Sequence, residues 1–381
     1  MPPRRCYGAG VRRVCFVTGT RAEYGLMRRT LDAIRSTPTL QLQIIATGLH
    51  LDVTRGRSVE RIREDGHSVD AEVPWPATTT APALAAATGR ATAGIAEALA
   101  TLDSDIVLVV GDRVEALAAA TAGHLSNRIV AHVHGGDRAA GQADDAIRHA
   151  VTKLSHLHFP ATAESAERLR RLGEDEWRIV QAGSPGLDGI IEDAAPDPTP
   201  GDPFALLVLH PTRDDPVAER ATAERLLSAV LATTVARVEI VWPNADLGAT
   251  GITDAWLAAE GDRRVVQHRD LPRRDFLRLM RDAAFMAGNS SSGIIEAASF
   301  GTPVLDVGPR QAGRERSGNV AHATDCDEEV AAAVAALFAG RPAPRWEGGN
   351  VYGGGEAGVV IARHLAAVEL DARLRRKLIA Y

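Results

Sequence analysis

Eight short apolar runs, rich in β-branched residues, recur along the chain with helix-like segments between them. They are RRVCFV, LQLQIIA, SDIVLVV and NRIVAHV in the first half, then FALLVLH, ARVEIVW, AAFMAG and TPVLDV in the second. Strands that are apolar almost throughout bury both faces, which happens where helices cover both sides of a parallel sheet. The alternation therefore predicts an α/β fold. A chain of 381 residues exceeds one ordinary hydrophobic core and predicts two domains of roughly 150 to 200 residues each. Residues 191–203, IEDAAPDPTPGDP, carry four prolines, cannot continue a helix or a central strand, and are expected to separate the two.

The expected organisation is a mobile extension over 1–12, an N-terminal Rossmann-like domain over 13–195, a C-terminal one over 204–358, and a final helix over 359–381. That helix comes after a glycine-rich stretch and can pack on its own domain or reach back to the first. The two halves can share one architecture. No apolar stretch reaches the roughly 20 residues that span a bilayer, and the first residues, MPPRRCYGAG, lack the apolar core of a signal peptide. Cys6, Cys15 and Cys326 form no CxxC pair, which fits a reducing compartment. A cytoplasmic protein is expected. The formal net charge of −6 contains no basic block, which argues against a nucleic-acid partner.

In open parallel sheets, ligands bind beyond the carboxyl ends of the strands, and polar clusters recur there. VTGTRAEYG, Val17–Gly25, lacks the dinucleotide pattern GxGxxG. Its Arg21 suits phosphate, whereas Glu23 can be a first-turn acid favoured by the helix dipole. In VVGDRVEA, Asp112 is either an N-cap for a helix beginning near Val114 or a functional acid. The stretch 131–159 holds five histidines, including His134, around a Gly-Gly turn. A helix starting near Asp144 puts Asp144 and Arg148 on one face. No HExxH or clustered Cys/His signature supports a metal. His210 leaves a strand in LVLHPTRD. GNSSSGIIEA, Gly288–Ala297, offers hydroxyls and amides at a strand-to-helix turn, suited to an anion. One serine suffices for capping; three, with Arg310, Arg314 and Arg316 downstream, point to a polyanion. The Walker pattern is absent.

VTGTRAEYG, GDRVEAL, HVHGGD, DDAIRHAVTKLSHLHF, GSPGLD, GNSSSGIIEA, GPRQAGRE and NVYGGG, in this order, resemble the hydrolysing UDP-N-acetylglucosamine 2-epimerases of sialic-acid pathways. The resemblance runs from about Val14 to the final helix. It implies two Rossmann-like domains facing across a cleft (GT-B-like), no metal or organic cofactor, a nucleotide-sugar substrate, and a homodimer or pair of dimers without nucleic-acid or membrane partners.

The implied reaction is anti elimination of UDP to 2-acetamidoglucal, then addition of water to give N-acetylmannosamine. C2–H is a poor acid until positive charge develops at C1, when a positioned base can remove it. Resemblance assigns proton transfer to Asp112 and Asp144 with Arg148 as orienting partner. His134 stands where relatives carry a glutamate, so either His134 or Asp137 supplies the third acid–base group. Diphosphate falls to Arg21, Ser290, Ser291 and His210, where donors stabilise growing negative charge; ribose falls to Glu296, and the uridine side to Arg310 and His268. Leu26 replaces a lysine that some relatives carry. Alternatives are non-hydrolysing interconversion with UDP-N-acetylmannosamine, a GT-B glycosyltransferase, and a catalytically silent UDP-sugar sensor.

Overall fold

Successive residues of a strand point to opposite faces, and the first strand shows what this does to the chain. The structure, a computed structural model, describes residues 10–53, 57–76, 80–138, 144–195, 201–243, 248–269 and 271–378. In β1 (Arg12–Thr18), Val14 and Phe16 enter one core, with Met27, Leu31 and Ile34 of the helix Arg21–Arg35. Cys15 and Val17 enter the opposite core, with Ile95 and Leu99 of the helix Ala81–Thr101. All four β1 residues are buried, each large one contributing about 1.5–3 kcal/mol of transfer free energy.

The remaining strands of the first sheet are β2 (Leu40–Ala46), β3 (Ala71–Glu72), β4 (Ile106–Val110), β5 (Ile129–Val133) and β6 (Leu157–Phe159). All pairs are parallel, in the order β3-β2-β1-β4-β5-β6. The helix Val114–Leu125 approaches β4 and β5 closely because its buried face is Ala116, Ala118–Ala120, Ala122 and Gly123. A Cβ on Gly123 would meet Val130 at 2.9 Å.

The second sheet comprises β7 (Phe204–Val208), β8 (Arg237–Val241), β9 (Val265–His268), β10 (Phe285–Gly288), β11 (Val304–Val307) and β12 (Val320–Ala323). It is parallel too, in the order β12-β11-β10-β7-β8-β9. In the first sheet the order turns back on itself between β1 and β4, and in the second between β7 and β10; these are the topological switch points. Ala205 and Leu207 face the helix Pro216–Leu231, whereas Phe204, Leu206 and Val208 face Met280 and Ala297.

The chain divides into a unit of Met1–Asp188 with Gly355–Tyr381 and a unit of Gly189–Gly354. The division falls at Asp188 rather than at 195, because the short helix Ile190–Asp193 goes with the second unit. β1 begins at Arg12, inside the stretch expected to be an extension. The helix Ala357–Ala367 returns to the first unit; Ile361 and Leu365 join the Val14–Phe16 core, and Asp188 accepts from the N–H groups of Ala357 (2.9 Å) and Gly358 (2.6 Å). Buried Arg178 fixes the C-terminal turn by donating to the carbonyls of Leu374 (2.9 Å), Arg373 (3.1 Å) and Arg376 (2.9 Å). Among the described residues no helix is long and apolar enough to cross a membrane.

Candidate functional site

Each unit gathers its polar residues where strands end and helices begin. In the first unit, Thr20 caps the helix Arg21–Arg35: its hydroxyl accepts from Glu23 N at 3.3 Å, and the Glu23 carboxylate accepts from Gly19 N at 2.8 Å and Thr20 N at 3.0 Å. This reciprocal capping box accounts for Glu23 structurally. Burial raises the Glu23 carboxyl to about 7, and Glu115 nearby adds to the rise. Glu115 is itself buried and accepts from Arg113 Nε at 3.2 Å. Arg21, in the first turn of the helix, is exposed.

Asp112 is not an N-cap. Arg113 holds that position before the helix Val114–Leu125, without a side-chain capping bond, and the Asp112 carboxylate is paired with the Arg148 guanidinium. Arg148, 4% exposed, comes from the helix Asp144–Leu154 and also donates to Asp145 Oδ1 at 2.7 Å and to the Asp137 carbonyl at 2.6 Å. Asp144 opens this helix; its side chain lies outside the described residues.

His134 and Asp137, which the sequence leaves as alternatives, form one dyad: Nδ1 lies 2.8 Å from Asp137 Oδ2, and Nε2 lies 3.3 Å from Ser184 Oγ. An ionised carboxylate only accepts, so Nδ1–H donates to it, which leaves Nε2 to face Ser184. Ser165 Oγ donates to the other oxygen of Asp137 at 2.8 Å. His134 adopts φ +62°, a left-handed conformation uncommon outside glycine. Gly136, φ +78°, permits the turn, since a Cβ there would lie 2.2 Å from the Ser165 carbonyl. His132 supports the same region from below. It is buried, which pulls it down to about 3 and keeps it neutral, and Nε2 sits 2.8 Å from the carbonyl of Gly111, the residue before Asp112.

In the second unit the turn after β10 is sewn to the turn after β7. His210 N donates to Asn289 Oδ1 at 2.7 Å, and Asn289 Nδ2 returns a bond to the His210 carbonyl at 2.8 Å. The Asn289 carbonyl accepts from Arg310 Nη1 at 3.1 Å and Gln311 Nε2 at 2.9 Å. Gly288 runs at φ +140°, and a Cβ there would stand 2.0 Å from the Val208 carbonyl; no other residue allows this approach. Ser290 is the N-cap of Ser291–Ile295, accepting from Ser292 N at 3.3 Å, with Ser292 Oγ 2.8 Å away.

The other two candidates have partners of their own. Glu296 accepts from Arg273 Nη2 at 2.8 Å; burial raises its carboxyl and Arg273 offsets part of the rise. His268, at the end of the edge strand β9, bonds Glu239 at 2.7 Å. Sequence reasoning missed Asn289, His132 and Ser184 as organisers. Asn289 stood inside a quoted motif, but nothing local marks an asparagine whose partners lie 79 residues away. Among the described residues no group of three or more His, Cys, Asp or Glu side chains is arranged to hold a metal ion.

Two Rossmann-like units, each with its polar groups at the carboxyl ends of the strands, define the GT-B-like α/β class. A crystal structure of a putative UDP-N-acetylglucosamine 2-epimerase from Listeria monocytogenes has this fold, with a TM-score of 0.76 and 21% identity, over 93% of this chain and 96% of that one. The sequence profile of the UDP-N-acetylglucosamine 2-epimerase family matches residues 32–366, and the chain belongs to that family. It is 37% identical over 383 residues to the UDP-N,N'-diacetylbacillosamine 2-epimerase (hydrolyzing) of Legionella pneumophila, covering 97% of this chain and 100% of the relative. It is 31% identical to the UDP-N-acetylglucosamine 2-epimerase of Neisseria meningitidis, covering 82% of this chain and 84% of the relative.

Proposed function

We propose that this family member is a hydrolysing epimerase that acts in the cytoplasm as a homo-oligomer and converts UDP-N-acetylglucosamine into UDP and N-acetylmannosamine. The observation that carries the reading is the cluster at the ends of β4 and β5, in which Arg148 pairs with Asp112 and bonds the Asp137 carbonyl while the Asp137 carboxylate orients His134. The C1–O bond breaks with its electron pair leaving on UDP, and a base takes the C2 proton to give 2-acetamidoglucal. Water then adds its oxygen to C1, and a proton returns to the opposite face of C2. Asp112, paired with Arg148, suits one transfer, and His134, oriented by Asp137, suits the other. We infer a part in proton transfer for Asp144 as well, which opens the helix that carries Arg148. In the second unit His210, Ser290 and Ser291 supply donors for the leaving diphosphate, and Arg21 carries a guanidinium suited to phosphate. Glu296 takes the ribose, and Arg310 and His268 the uridine.

A second reading keeps the reaction and changes the sugar. The relative matched over its whole length acts, by its name, on UDP-N,N'-diacetylbacillosamine, and this 2,4-diamino sugar presents the same C1 and C2 chemistry. Proton NMR in D2O with each nucleotide sugar tests both. Free N-acetylmannosamine carrying deuterium at C2, together with UDP, is the expected product of the first. Faster release of the corresponding free diamino sugar transfers the assignment to the second. Accumulation of a UDP-linked epimer, with no free sugar, overturns hydrolysis.

A further inference from the structure

Independently of that reading, we propose that the second unit carries a separate binding site for a phosphate-bearing anion, at the amino-terminal end of its sheet. A pocket of about 570 Å³ opens there, within the range of small-molecule sites. Phe204 opens β7 and Arg237 opens β8, so the pocket lies at the opposite strand ends from His210, Ser290 and Arg310. Four guanidinium groups line it, those of Arg237, Arg278, Arg281 and Arg345, against the two carboxylates of Asp202 and Asp282. In a chain of net charge −6, four guanidinium groups meet at one pocket: Glu239, Asp275 and Asp282 pair with three of them, and Arg345 is held by carbonyls and a hydroxyl.

The guanidinium groups are held in place. Arg345 donates to the carbonyls of Phe300 (3.2 Å) and Ala283 (2.9 Å) and to Thr302 Oγ1 (2.9 Å). Arg278 reaches the Ala195 carbonyl at 2.6 Å and Asp275 at 3.1 Å, and Arg281 pairs with Asp282 at 2.7 Å. Arg237 stacks 4.8 Å over the ring of Phe204. Burial pulls the Arg345 guanidinium below its usual range; Asp282 opposes that shift, and neighbouring Arg281 reinforces it. An anion in the pocket would offset the repulsion between Arg281 and Arg345. Planar guanidinium groups fixed by carbonyls are preorganised for phosphate oxygens, which they bind in a fork.

The test is calorimetric titration of the full-length protein with inorganic pyrophosphate and, separately, with adenosine diphosphate, at low salt. Arg278→Glu is the first variant, because Arg237 also touches Glu239, the partner of His268; Arg237→Gln is the second, should the first unfold without ligand. Saturable binding of either ligand, weakened at least tenfold by a variant whose ligand-free unfolding midpoint matches the parent, supports the site. Tighter binding of pyrophosphate names a free anion as the ligand, and tighter binding of adenosine diphosphate names a nucleotide. Equal affinity in parent and both variants, or no saturable binding, overturns it.

Discussion

The two units share a doubly wound parallel design and place opposite chemistry at its switch point. Between β1 and β4 the first unit gathers carboxylates: Glu23 in a capping box, Glu115 buried beside it, and Asp112 on Arg148. Between β7 and β10 the second unit gathers neutral donors and acceptors, with Asn289 joining His210 to the serine turn and Arg310 alongside. The topology supplies a crevice with helix N-termini in both. What fills it decides whether the crevice moves protons or holds an anion, so fold alone assigns neither role.

The largest expected break of this contrast is Asp112→Asn. It removes one carboxylate charge from the first unit and leaves the second untouched, so kcat falls on the order of a thousandfold while the Kd for UDP changes by less than about threefold, within the ordinary context dependence of one interaction. Steady-state kinetics and calorimetry on the same preparation check it; near-normal turnover overturns the proposed division of labour. Asn289→Ala is the converse. It leaves the His210 N–H and carbonyl without their shared partner, and UDP binding is expected to weaken roughly thirtyfold, equivalent to about 2 kcal/mol. Unchanged UDP affinity, measured by titration calorimetry, removes the second unit from diphosphate recognition.

The smallest effect is one of pH. Glu23 titrates at about 7 in the folded chain, against a usual value of 4.5. A carboxyl raised in this way favours the folded state at low pH, and that contribution is lost as pH rises from about 4.5 through 7. A glutamine at this position cannot ionise and can still close the capping box. Glu23→Gln is therefore expected to gain about 1–2 kcal/mol over the parent above pH 7 and almost nothing near pH 4.5. Denaturant unfolding at both pH values measures the difference. A pH-independent difference contradicts a strained carboxylate at this switch point.

The eight apolar runs read from the sequence correspond to β1, β2, β4, β5, β7, β8, β10 and β11. The four strands not read, β3, β6, β9 and β12, are those at the sheet edges. They are two to four residues long, too short for periodicity to mark, and β9 is only partly buried, as edge strands can be. The helix starting at Asp144 was legible because its polar and apolar residues alternate with helical spacing. The Asp112 carboxylate was legible as a candidate, but its competing reading as an N-cap falls because Arg113 takes that position and Arg148, 36 residues onward, pairs with the carboxylate.

Local order along the chain was enough to determine the α/β class, the parallel sheets and the loops that hold the candidate site residues, because burial on both strand faces and turn-forming residues leave their marks within a few positions. Only the tertiary structure decided that His134 and Asp137 form one dyad, that Asn289 joins two turns 79 residues apart, that the helix Ala357–Ala367 folds with the first unit, and that four arginines spread from 237 to 345 meet at one pocket. Most of these are contacts between segments distant in sequence. Their partners are chosen by strand order and close packing, which no short stretch of sequence contains.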